Sequence, residues 1–183
     1  YGDRVLFRDA DIGFGWGEFT ALVGRNGTGK STLLRTIAGL AKPLSGEVVV
    51  DGQKLVDMSA KEVASRISFV STDEVRITNL KAADVVGLGR APYTNWIGRL
   101  TPADRDIVAR SLELVGMTAF ADQGMDTLSD GERQRVMIAC ALAQDTPIIL
   151  LDEPTALLHL PNRYVICLSF RRLPHNERKS TLF

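Results

Sequence analysis

Gly24-Arg25-Asn26-Gly27-Thr28-Gly29-Lys30-Ser31-Thr32 places glycines, a lysine and hydroxyls at the spacing that wraps a nucleotide phosphate. The segment before it, Glu18 to Val23, is apolar and runs into a glycine, as a buried parallel strand does. The segment after it, Lys30 to Leu40, carries leucines and an isoleucine at the spacing of a helix packed on a sheet. Strand, glycine turn and helix follow in order. Gly24, Gly27 and Gly29 permit backbone conformations that bulkier residues resist. Successive N–H groups of the loop, those of Arg25, Asn26 and Thr28 among them, can therefore turn inward on an anion at the helix N-terminus. Lys30 is placed to reach the β- and γ-phosphates, Ser31 to ligate Mg²⁺ through its hydroxyl, and Thr32 to assist at the α-phosphate. A glycine turn with a chance lysine is the other reading, and the flanking strand and helix weigh against it.

Working outward, 183 residues with 45% hydrophobic content suffice for one sizeable α/β core. Lys plus Arg and Asp plus Glu are equal at 22 each, so no global field recruits nucleic acid or an anionic membrane. The local cluster Arg171, Arg172, Arg178 and Lys179 reads as a solvated helix end. Cys140 and Cys167 lie far apart in apolar surroundings, which suits buried free thiols in a reducing compartment better than a disulfide or metal framework. No apolar run reaches the length of a membrane span, and no signal peptide is visible. The chain begins at Tyr1 rather than Met, so a fragment is expected.

Along the chain, Val5-Leu6 and Ile12 to Phe14 read as short N-terminal strands, and Glu47 to Val50 as another, ending in the hairpin-type turn Asp51-Gly52. Ser59 to Arg66 reads as a short helix with Ser59 as cap and Glu62 three residues on, and Ile67 to Val70 returns to the sheet. Ala82 to Leu88, Pro102 to Val115 and Gly131 to Ala143 are helical in pattern, with no strand between Leu80 and Gln144. Ile148 to Leu151 is a fully apolar strand, followed by a helix over Pro161 to Leu173 and a strand beginning at Ser180. The expected fold is α/β, with a mainly parallel sheet core, antiparallel strands near the N-terminus and an inserted all-helical unit. The core is assigned to 1–79 and 145–183, the helical unit to 80–144.

Two further motifs bear on chemistry. Asp152-Glu153 directly follows the apolar strand, at the C-terminal edge of the sheet where parallel α/β proteins bind ligands. This Walker B pattern puts Asp152 on Mg²⁺ and makes Glu153 the natural general base for a water attacking the γ-phosphate. As Asp152-Glu153-Pro154-Thr155 the same residues can serve as no more than a helix cap. Leu128-Ser129-Asp130-Gly131-Glu132 precedes a helix, and a serine and a glycine at a helix N-terminus form a second anion-binding device. Taken alone, that segment is also an ordinary cap.

With Leu128 to Glu132 lying shortly before Asp152-Glu153, the chain resembles the ATP-binding subunits of ABC transporters, a group of P-loop NTPases. Leu128 to Glu132 looks like their LSGGQ signature, with Asp130 for the third-position Gly and Glu132 for the Gln. The resemblance implies ATP and Mg²⁺ as ligands and hydrolysis coupled to transport. It also implies a head-to-tail pair of identical subunits in which Ser129, Gly131 and Glu132 of one copy meet the nucleotide held by the Walker A loop of the other. Tyr1, followed by Gly2, sits where the family places an aromatic that stacks on adenine. Transmembrane permease subunits, and through them a substrate-binding protein, are the implied partners, with no nucleic acid. The implied location is the cytoplasmic face of the inner membrane, peripheral through the permease.

Departures from the family pattern accompany the likeness. Thr72 stands where the family has a Gln that contacts Mg²⁺ and the attacking water, with Asp73 or Glu74 as alternative oxygen donors. His159 stands where it has an Asp after Walker B, read either as altered coupling or as plain divergence. The family's γ-phosphate-sensing histidine follows a strand that begins here at Ser180, while His175 precedes that strand; a domain incomplete at its C-terminus is expected.

Val85-Val86-Gly87-Leu88-Gly89-Arg90-Ala91-Pro92-Tyr93, ending in Gly98-Arg99-Leu100, is similar to the helical insertion of subunits that energise import of iron chelates, haem and cobalamin. Physically it is a helix and then a loop exposing Tyr93 and Trp96, which could pack on a membrane partner or belong to a self-contained hairpin. Two other functions remain open on sequence. One is a non-transport clamp driven by nucleotide, against which the neutral charge and single nucleotide domain speak. The other is a binding-only switch, suggested by Thr72, His159 and the missing histidine.

Overall fold

In the computed structural model, residues 6–7, 9–15, 18–25, 27–71, 77–153 and 180–182 are described, and statements of absence below concern these residues. Four parallel strands form the main sheet: β1 (Phe19–Thr20), β4 (Ile67–Val70), β5 (Ile148–Leu151) and β6 (Ser180–Leu182), in the order β1-β6-β5-β4. Between β1 and β4 in sequence, β2 (Val49–Val50) and β3 (Gln53–Lys54) form a separate antiparallel pair. Strand β5 is interior, registered Ile67↔Ile148 with β4 and Ile148↔Ser180 with β6. That position explains why it is apolar throughout: a strand flanked on both edges and covered on both faces has no polar side to present. Ile149, Leu150 and Leu151 are accordingly all buried.

The β2–β3 turn is Asp51-Gly52, with φ of 52° and 75°. Both residues are left-handed, as a two-residue hairpin turn of the I′ type requires, so the Asp-Gly reading of the sequence holds. The N-terminal strand expected at Ile12 to Phe14 does not form, and Leu6 is in a bend, whereas Val5 lies outside the described residues. Gly13 and Gly15 flank Phe14, and glycine weakens a strand by its backbone entropy. The strands expected at Glu18 to Val23 and Glu47 to Val50 shorten to the residue pairs that find a ladder, Phe19–Thr20 and Val49–Val50.

Five helices are described: α1 (Lys30–Ile37), α2 (Ala60–Arg66), α3 (Ala82–Leu88), α4 (Pro102–Leu114) and α5 (Asp130–Ala143). Helix α2 opens with the capping box expected at Ser59 and Glu62, and α4 with the corresponding pair Thr101 and Asp104. The helix expected over Pro161 to Leu173 falls outside the described residues. Apolar packing falls into two groups. One gathers Leu34 of α1, Val50, Ile67 and Leu150. The other gathers α3, α4 and α5 through Val85, Val86, Leu112, Val136 and Ile138, and reaches the sheet at Val70, Ile149 and Leu151.

Two close approaches join the three helices of residues 80–144. At Gly89 an added Cβ would stand 2.2 Å from the Cys140 carbonyl oxygen, so α3 ends with its backbone against α5. Burial at this contact pushes the Cys140 thiol up to about 11, leaving it a neutral packing group. Next to it, Arg90 is buried and bonds in two directions, to Asp104 Oδ1 at 2.8 Å and to the Ala143 carbonyl at 2.8 Å, with its guanidinium 4.2 Å from the centre of the Tyr93 ring. One cation thus ties the end of α3, the start of α4 and the end of α5.

The Asp104 carboxyl is lowered from its usual 3.8 to about 2, first by the Thr101 hydroxyl and backbone N–H and then by Arg90. Because the folded-state value is depressed, its stabilising contribution is present above about pH 4 and is lost as pH falls through about 2. Melting the protein and its Asp104→Asn variant across the acid range tests this. The advantage of the parent should be full above pH 4 and shrink toward zero near pH 2. A difference independent of pH would show that Asp104 acts by shape rather than charge.

Candidate functional site

Helix α1 begins at the C-terminal edge of the sheet with an N-terminus unlike those of its neighbours. Its cap is Gly29 at φ 96°, with no side-chain capping bond and no acidic residue in the first turn. The first-turn N–H groups and the positive end of the helix dipole therefore lack an internal anion. Only glycine suits that position, since its φ is left-handed and a Cβ would lie 3.0 Å from the Phe7 ring and 3.1 Å from Leu6. Gly27, at φ 80°, is the second left-handed turn of the loop. At Gly24 a Cβ would meet the Thr28 hydroxyl at 3.0 Å, and that hydroxyl donates to the Arg25 carbonyl at 2.8 Å.

The Lys30 ammonium arches over this loop, donating to the carbonyls of Gly24 at 2.7 Å and Arg25 at 3.1 Å. From the next residue, the Ser31 hydroxyl donates to Asp152 Oδ1 at 2.9 Å. Asp152 is buried, and its backbone N–H donates to the Val70 carbonyl at 2.9 Å, which carries the β4–β5 register one residue past the strand. A carboxylate and a hydroxyl, both oxygen donors and already in contact, suit a small hard cation such as Mg²⁺. Thr32 lies in the first turn of α1, and its carbonyl accepts from the Thr36 hydroxyl at 2.8 Å. Glu153 is exposed and sits at φ 46°, so the chain turns sharply just where β5 ends and leaves that carboxylate in solvent beside the buried Asp152. Neighbouring carboxylates thus have opposite environments.

Of the second motif, Ser129 caps α5, and its backbone N–H and hydroxyl both donate to Glu132 Oε2, at 2.8 Å and 2.7 Å. Gly131 follows in the first turn, and Asp130 pairs with Arg133. The structure brings Gly24, Arg25, Gly27, Thr28, Gly29, Lys30, Ser31, Thr32, Asp152 and Glu153 to one edge of the sheet. Tyr1, Asn26, Thr72, His159 and His175 lie outside the described residues. What sequence reading missed is the role of Arg90. An arginine in an apolar helix end, followed by a Thr-Pro-x-Asp cap, is the signal that could have exposed it.

The sequence profile of the ABC transporter family matches residues 7–156. The chain belongs to that family. It is 37% identical over 182 residues to the iron(3+)-hydroxamate import ATP-binding protein FhuC of Bacillus subtilis, a match covering 100% of this chain and 68% of the relative. Among solved structures, a dimeric ATP-binding cassette in a post-hydrolysis state bound to ADP and Pi superimposes with a TM-score of 0.86 at 30% identity, covering 100% of this chain and 81% of that one. An inward-facing metal-chelate type ABC transporter superimposes at 0.81 with 27% identity, covering 100% of this chain and 67% of that one. The chain spans 60% and 66% of the length of the first curated relatives it matches. Within the family fold, Ser31 at the start of α1 and Asp152 at the end of β5 meet at one sheet edge. No helix among the described residues is long and apolar enough to cross a membrane.

Proposed function

We propose that this ABC chain is the ATP-binding and ATP-hydrolysing subunit of a transporter that imports an iron chelate, haem or cobalamin. The observation that carries the nucleotide reading is the 2.9 Å bond from Ser31 to Asp152, which joins the phosphate loop to the strand-end carboxylate beside an uncapped helix N-terminus. The likenesses to an iron-hydroxamate importer subunit and to a metal-chelate transporter support the substrate class.

In this mechanism the backbone N–H groups of Gly24 to Gly29, with Asn26, cradle the phosphates, and Tyr1 stacks on adenine. Lys30 exchanges the neutral carbonyls of Gly24 and Arg25 for phosphate oxygens, a stronger charge-assisted pairing. Ser31 and Asp152 would hold Mg²⁺, which would supply positive charge against the phosphates. Thr32 supports the α-phosphate. Glu153, exposed and unengaged by Ser31, accepts the proton of the attacking water. Ser129, Gly131 and Glu132 at the start of α5 face the nucleotide held by a second copy, so two chains pair head to tail over two ATP molecules, as the dimeric cassette at TM-score 0.86 supports.

The permease-facing surface belongs to the helical unit. Trp96 is 94% exposed and Ile97 66%, on a loop anchored beneath by Arg90. Exposed apolar side chains of this size suit a membrane subunit at the cytoplasmic face, which in turn meets a substrate-binding protein. The test of the nucleotide reading is Lys30→Ala in the complete protein. Titration with a fluorescent ATP analogue should show affinity reduced about 10- to 100-fold, the worth of a charge-assisted contact. Undiminished binding would remove the phosphate role of this loop.

A further inference from the structure

Phe7 stands apart from the apolar packing of the molecule. It belongs to neither of the two buried groups, and 41% of it is exposed. What it lies against is the glycine turn at the start of α1: a Cβ on Gly29 would stand 3.0 Å from its ring and 3.1 Å from the Leu6 side chain. Leu6 is partly buried and fills the same place, so the turn has apolar support besides the Phe7 ring. A ring with one edge on the phosphate loop and the rest in water is placed to cover a ligand that enters the loop.

Helix geometry says which part of that ligand it meets. Gly29 caps α1 and Thr32 follows three residues on, so the two share one face of the first turn. In the nucleotide reading above, Thr32 supports the α-phosphate and Lys30 takes the β- and γ-phosphates. The ribose is esterified to the α-phosphate, so it leaves the loop on the Gly29–Thr32 face, the face on which the Phe7 ring lies. The ring offers no hydrogen-bonding group, and its complement on a nucleotide there is the C–H surface of the sugar.

We propose that Phe7 is a nucleoside-binding residue whose exposed face covers the ribose of the bound nucleotide, beside the adenine that Tyr1 takes. The proposal rests on the nucleotide reading above. A contact made through the sugar is common to all ribonucleotides, so Phe7 adds affinity without choosing a base.

The experiment titrates the complete protein, with Mg²⁺ present, by calorimetry with ATP, GTP and inorganic tripolyphosphate. Phe7→Ala should weaken ATP and GTP alike by about tenfold, the worth of part of a buried aromatic ring, and leave tripolyphosphate within about twofold. Phe7→Tyr keeps the ring face and should hold ATP affinity within about twofold of the parent. Phe7→Trp gives a second readout: ATP should quench the added indole emission beyond the change shown by the parent's own tryptophans, and tripolyphosphate should not. Equal losses of ATP and tripolyphosphate in Phe7→Ala overturn the proposal, because the ring would then only support the glycine turn. Unchanged ATP affinity, a loss for ATP without one for GTP, or no ATP-specific quench in Phe7→Trp also overturns it. If the parent binds neither ATP nor tripolyphosphate, the nucleotide reading itself fails and takes the role of Phe7 with it.

Discussion

Replacing Glu153 by Gln should lower ATP turnover by about 10²- to 10⁴-fold, the usual contribution of a general base, while nucleotide affinity stays within a few-fold. The expectation comes from the contrast between two adjacent carboxylates. Asp152 is 2% exposed, accepts from the Ser31 hydroxyl and is fixed by its backbone bond to Val70, so it is built to hold position. Glu153 is exposed, and the turn at φ 46° separates its side chain from the strand, so it can meet a water. Gln preserves size and hydrogen-bonding reach but cannot take a proton. Phosphate release in single- and multiple-turnover assays, set beside binding of a fluorescent ATP analogue, separates the two effects. Turnover retained in the variant would assign the base to another group, and lost binding would make Glu153 part of the nucleotide cradle.

Gly89→Val should destabilise the fold by about 3 kcal/mol, at the upper end for forcing atoms into a packed site. The crowding atoms are backbone: the Cys140 carbonyl at 2.2 Å, and the Gln144 N–H and Val86 carbonyl at 3.1 Å, measured from an added Cβ. Backbone cannot swing aside as a side chain can, so α3 and α5 must separate. Separation strains the Arg90 bond to the Ala143 carbonyl at 2.8 Å, which crosses the same contact. For a chain of this size the expected fall in melting temperature is about 6–12 °C. Gly98→Ala, at φ 72° but with open space around it, serves as a comparison in which only backbone strain acts. Equal losses for the two variants would show that the α3–α5 contact is not tight.

The parts of this protein that short stretches determine are those whose physics is local. Glycine spacing marks the left-handed turn that leads into α1; Ser59-x-x-Glu62 and Thr101-Pro102-x-Asp104 start helices by satisfying their own first N–H groups; an unbroken Ile-Ile-Leu-Leu marks an interior strand. Weak strands were the exception, because Ile12 to Phe14 had the pattern but no partner strand, and a ladder is a property of two segments. Ser129-Asp130-Gly131-Glu132 carries the same Ser-x-x-Glu spacing, and its Glu132 carboxylate closes back on Ser129 in the same way.

Only the tertiary structure decided the rest. The strand order β1-β6-β5-β4 brings Asp152 beside Ser31 across 121 residues. Gln144 reaches from the end of α5 to the carbonyls of Ala64 at 2.6 Å and Ile67 at 3.0 Å, and Arg90 finds Asp104 and Ala143 on two different helices. Such contacts depend on where distant segments are carried by the packing of the whole. The sequence by itself determined that a glycine-rich loop ahead of α1, a strand-end carboxylate pair and a capped start of α5 exist. That the glycine loop and the carboxylate pair meet at one sheet edge was decided by long-range parallel pairing, whose register is set by burial of both faces of β5 and by no single run of residues.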